Sequence, residues 1–190
     1  MSVLGLTEQD TFEVQSAATT AENNSEYYTN ISDKLVEAYS HELDELMNRV
    51  RADCVDTEPS DKVLEMYTLE LSNALYFVGQ KLENIGIKDD LTKMAAKEAY
   101  NNAYLQHMEA GDAKKKPTVA ELTALSEDDA KYQTVINSIY SRVYRQVKYK
   151  VDAAYEMLSS IRKIISKRMQ ELQLSMARQN GGVVLGKEEF

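Results

Sequence analysis

Two histidines, one cysteine and seven scattered glycines are what this chain of 190 residues offers to catalysis, and their spacing suits none of it. His41 and His107 stand outside any Glu-x-x-His, His-x-x-x-His or Cys-x-x-Cys arrangement, so no metal centre is expected. Cys54 lies beside Asp53 and Asp56, and neighbouring carboxylates raise a thiol's pKa, which disfavours a thiolate nucleophile. No glycine precedes a Lys-Ser or Lys-Thr pair opening a helix, so no phosphate-cradling loop is present. Two catalytic groups cannot be assembled on physical grounds. The expectation is a protein that is not an enzyme and needs no cofactor.

What remains is electrostatic and aromatic chemistry. The chain carries 22 Lys/Arg against 31 Asp/Glu, a net charge of −9, but the sum hides a division. Residues 1–130 hold 11 basic against 26 acidic residues, net −15, whereas residues 131–178 hold 10 against 3, net +7. A basic element on an acidic body either meets nucleic acid or pairs with the acidic region, within a subunit or between subunits.

The element that must position these cations is a helix predicted over 126–178. Ser126-Glu127-Asp128-Asp129 has the form of a capping box, and no Gly or Pro follows until Gly181. Apolar residues recur from Ile136 to Met176 about every 3.6 residues, which makes one continuous stripe. Such a helix is about 80 Å long, more than the shorter helices expected elsewhere can cover. Copies are therefore expected to gather through Val143, Val147, Val151, Leu158, Ile161, Ile165, Met169 and Leu172. At about 100° per residue, Lys131, Arg142, Arg145, Tyr149, Lys163, Lys167 and Arg178 fall on the opposite face, a basic ridge that Asp152 and Glu156 interrupt. Such a ridge can track phosphates while tyrosine rings offer stacking surface, or it can be a solvated face. Tyrosine is abundant, twelve residues against three Phe and no Trp, and most of these rings are expected at the edge of the core.

The rest of the chain is expected to form one helical domain over 25–178, with an acidic flexible tail at 1–24 and a Gly-containing tail at 179–190. Helices are predicted near 31–52, 60–85, 89–109 and 118–125. Gly86 is expected to end the second, and Thr118-Val119-Ala120-Glu121 to open the fourth with a capping box. Gly111 to Pro117, which includes Lys114, Lys115 and Lys116, is the predicted exposed loop. No strand period and no internal repeat is present. With a single Cys, no apolar run near 18 residues and no signal-peptide pattern, the chain is expected in a reducing cytoplasm, without a membrane.

The order of parts resembles a known family. Leu64-Glu65-Met66-Tyr67 and Glu70-Leu71-Ser72-Asn73-Ala74 are followed by Met94-Ala95-Ala96-Lys97-Glu98-Ala99-Tyr100. Then come Gly111-Asp112, Thr118-Val119 and Leu125-Ser126-Glu127-Asp128, ahead of the long helix with Ile161-Arg162 and Ser166-Lys167-Arg168. Over roughly residues 60–172 this layout is similar to the UvsY-type recombination mediators of tailed phages. The resemblance implies binding to single-stranded DNA, rings assembled through C-terminal helices, and loading of a recombinase onto strands covered by a single-strand-binding protein. Lys97 stands where that family has a Lys followed two positions later by Arg, and here the second position is Ala99. The candidate DNA contacts are therefore Lys93, Lys97 and Lys114 to Lys116, with Arg142, Arg145, Lys163 and Lys167 of the long helix as a second set.

Together these readings predict an all-α helical bundle with a long C-terminal amphipathic helix, assembling as a ring or bundle in the cytoplasm of a bacterial host. The expected role is that of a recombination mediator in phage DNA recombination and repair. Two other roles fit the same residues: a structural or scaffolding protein of a phage particle, and an acidic helical adaptor or inhibitor that binds a host protein.

Overall fold

The computed structural model describes the backbone of residues 8–56, 58–110 and 117–184, and the side chains of 25–54, 58–110 and 117–179. All of the secondary structure among the described residues is helical: α1 (Glu8–Asp56), α2 (Asp61–Ala110), α3 (Val119–Asp129) and α4 (Lys131–Val184). None of these helices is long and apolar enough to cross a membrane.

The helices are longer than their sequence punctuation foretells. α1 begins at Glu8, well ahead of the expected 31, in a stretch that contains neither Gly nor Pro. The tail expected at 1–24 thus lies outside the described residues only at 1–7. α2 runs without a break through Gly86, so the two helices expected at 60–85 and 89–109 are one. Gly86 is not a cap; a side-chain carbon there would stand 3.3 Å from Cε2 of Tyr144, so the missing Cβ makes room for α4. A glycine inside a helix costs about 1 kcal/mol against alanine, an amount that packing of this kind can offset. At the start of α2 the Ser60 carbonyl accepts from the N–H groups of Val63 (3.0 Å) and Leu64 (3.1 Å), as an N-cap residue does.

The capping box at Thr118 forms as expected, with its hydroxyl accepting from the Glu121 N–H and the Glu121 carboxylate accepting from the Thr118 N–H. The bonds that this carboxylate accepts, from the Thr118 N–H first and the Thr118 hydroxyl second, hold the Glu121 carboxyl below its ordinary pKa. The box expected at Ser126 does not form. Ser126 is buried inside α3, and its hydroxyl donates back to the Leu122 carbonyl at 2.6 Å. The long helix accordingly starts at Lys131, after a single turn residue, Ala130. It ends at Val184, six residues past the expected end, and 185–190 lie outside the described residues.

The chain divides into two compact units, residues 1–39 with 82–147, and residues 40–81 with 148–190. The core of the first contains Val36, Ile85, Ala103, Leu122, Ala130, Val143 and Val147. Its α2 and α4 segments are tied by Asn137, whose amide donates to the Asp89 carbonyl (3.2 Å) and to Thr92 Oγ1 (3.2 Å), and by Ser141, whose hydroxyl donates to the Asp89 carboxylate. The core of the second contains Leu43, Leu46, Val50, Leu64, Tyr67, Leu71, Leu75, Val78, Val151, Ala154, Leu158 and Ile161, supplied by α1, α2 and α4. Fully burying each such Leu or Val contributes about 1.5–3 kcal/mol.

A basic, tyrosine-lined groove as candidate functional site

In the second unit residues of the α2 and α4 segments line an open groove of about 830 Å³. Helical period explains its lining. Ser72, Leu75 and Tyr76 come from successive turns of α2, while Tyr155, Leu158, Ser159, Arg162, Lys163, Ser166, Lys167 and Gln170 come from α4, from its apolar stripe at Leu158 round to its outer face at Lys163 and Lys167. Leu75 and Leu158 are buried and form the floor, whereas Tyr76 and Tyr155 are exposed rings on opposite helices. Tyr76 is held edge-on by Phe77, with centroids 5.5 Å apart.

Arg162, Lys163 and Lys167 line this groove and no carboxylate does. Lys167 makes an exposed pair with Glu171 at 3.9 Å, a contact too solvated to neutralise it, and neither Arg162 nor Lys163 has an ion pair among the described residues. In a chain of net charge −9, three basic side chains beside an apolar floor make this groove locally positive. Hydroxyls of Ser72, Ser159 and Ser166 and the Gln170 amide add neutral hydrogen-bonding groups around it.

No family model, curated protein or solved structure matches this chain.

Of the expected DNA contacts, Lys163 and Lys167 lie together in the groove, beside Arg162, Tyr76 and Tyr155, which the sequence did not single out for it. Arg142 is used within the first unit, where Nη2 lies 3.2 Å from Asp33 Oδ1 and Nη1 lies 3.4 Å from Thr29 Oγ1. Arg145 is exposed and turns its Nε back to the Ser141 carbonyl at 3.2 Å. Lys93 and Lys97 are exposed on α2 in the first unit, and Lys114, Lys115 and Lys116 lie outside the described residues.

The residues expected to join subunits need correction. Val143, Val147, Val151, Leu158 and Ile161 are buried inside their own chain, because α1 and α2 are each about as long as α4 and cover its stripe. Ile165 is half-buried, and only Met169 and Leu172 of that set remain exposed. Beyond Arg168 the side chains of α4 stand in solvent on every side as far as Gln179. Among the described residues Arg168 makes the last hydrogen bonds from α4 to another part of the chain. It donates to the Pro59 carbonyl (2.7 Å), to Asp61 (2.9 Å) and to Glu58 (3.2 Å), and the Asp61 hydrogen bond raises its pKa further.

The groups weighed for catalysis have ordinary partners. His41 pairs with Glu45 at 3.3 Å and His107 with Asp129 at 2.7 Å. The Cys54 thiol is pushed up by burial first and by the Asp53 charge second, which keeps it protonated.

Proposed function

We propose that this protein binds single-stranded DNA along the groove between α2 and α4, without catalysing a reaction on it. One observation carries the reading: Arg162, Lys163 and Lys167 ring an apolar floor together with two exposed tyrosines from facing helices. Cations spaced along a helix flank neutralise phosphates, and rings left in water stack on bases whatever their sequence. Unpaired bases can reach such rings, whereas bases stacked in a duplex cannot.

The same reading extends to the mediator role that the layout of residues 60–172 resembles, in phage recombination and repair within a bacterial host's cytoplasm. The partners are then a recombinase and a single-strand-binding protein. Residues 1–59, with 3 basic against 13 acidic residues, suit a basic protein surface better than DNA. Copies gather through the exposed end of α4, where Met169, Leu172, Leu174 and Met176 are left in solvent.

Fluorescence anisotropy of a labelled oligonucleotide tests the binding step. The wild-type chain retains the strand, and joint Arg162→Ala, Lys163→Ala and Lys167→Ala releases it. Equal affinity for the two proteins rejects the groove.

A further inference from the structure

We infer that a second copy of this chain covers the outward face of α2 between Leu91 and Met108, with the two α2 helices antiparallel. The inference is independent of the groove, which belongs to the other unit.

Within the first unit α2 already buries one face. Ile85 and Ala103 lie in the core, and Asp89 and Thr92 are tied to Asn137. A helix that has found its core should present polar residues on the other side. Here Ile87, Leu91, Met94, Leu105 and Met108 are each between 50% and 68% exposed. Completed by Glu98 and Asn101, their spacing alternates steps of four and three, the seam of a two-helix coil.

The order of residues in that seam selects the partner and its direction. Two copies side by side in parallel set Glu98 against Glu98, like charges in a desolvated seam. A two-fold axis between Ala99 and Tyr100 instead sets Leu91 against Met108 of the second copy, Met94 against Leu105, and Glu98 against Asn101, whose amide can donate to it. A sequence that complements itself when reversed is what an isologous contact requires.

Cysteine cross-linking of the full chain, in a Cys54→Ala background, separates this contact from assembly through α4. Chains carrying Met94→Cys and chains carrying Leu105→Cys are expected to form disulfide-linked dimers when mixed and oxidised, while either variant alone stays uncross-linked. Because Met94 and Leu105 are exposed, both variants keep the wild-type circular dichroism spectrum. Absence of cross-linking in the mixture, or Met94→Cys chains cross-linking to one another as readily, overturns the inference. So does light scattering that shows the same mass for wild type and for Leu91→Glu with Leu105→Glu.

Discussion

Arg142 sits 3.2 Å from the Asp33 carboxylate, and that pair separates the cations of α4 that are paired inside the chain from those that have no ion pair among the described residues. Lys150, which donates to Ser40 at 2.9 Å and pairs with Asp44, belongs with Arg142. Arg162 and Lys163 belong to the other kind. Arg142→Ala is therefore expected to lower stability by no more than about 1 kcal/mol, the ceiling for a half-exposed pair, and to leave oligonucleotide affinity unchanged. Arg162→Ala should do the reverse. Denaturant melts and anisotropy titrations on both variants measure the two effects, and a large affinity loss in Arg142→Ala would move the site to the first unit.

Tyr76 and Tyr155 should contribute through their rings. Replacing either by alanine is expected to weaken strand binding by about 1–3 kcal/mol, whereas phenylalanine retains most of the affinity. The same anisotropy titration reads this. Equal losses for alanine and phenylalanine would point to the hydroxyls instead.

Tyr67 gives the fold an alkaline limit. Its hydroxyl donates to the Asp53 carboxylate, and that bond, followed by burial, pushes its pKa from an ordinary value near 10 up to about 12. Between those values the folded chain keeps a proton that the unfolded chain releases. This stabilising contribution is fully present below pH 10 and lost as pH rises toward 12. Tyr67→Phe should cost about 1 kcal/mol at neutral pH and flatten the fall of the urea midpoint between pH 10 and 12. An unchanged pH profile would show that the bond is not formed in solution.

Two helix-interior glycines should respond differently to alanine. Nothing stands within 4 Å of a Cβ at Gly79, so Gly79→Ala is expected to stabilise by about 0.5–1 kcal/mol. At Gly86 the new carbon meets Tyr144 at 3.3 Å, and the gain should shrink or reverse. Thermal melts of the two variants compare them directly.

The all-helical class was legible from apolar spacing alone, and so was the Thr118 box, because both depend on local order along the chain. Helix length was not. Gly86 has the residue type of a helix end, and only the nearness of Tyr144 shows why it lies inside one. Two short helices in place of α2 would leave the α4 stripe uncovered, whereas the single 50-residue α2 is long enough to bury it. The groove was half legible. Lys163 and Lys167 lay on the outer ridge, but Arg162 lies close to the apolar stripe, and Tyr76 comes from a helix distant in sequence. Only packing brings them together. The outward stripe from Ile87 to Met108 was hidden because the apolar period of its segment serves two faces at once.

The salt dependence of strand binding tests the central claim most directly. Each phosphate neutralised on a single strand contributes a slope of about −0.7 to the logarithm of the association constant against the logarithm of salt concentration, so three groove cations give about −2. Lys163→Gln should make that slope shallower by about 0.7. The account predicts both values in anisotropy titrations of a single-stranded oligonucleotide. Undetectable binding, or binding whose slope is the same with and without Lys163, would contradict it.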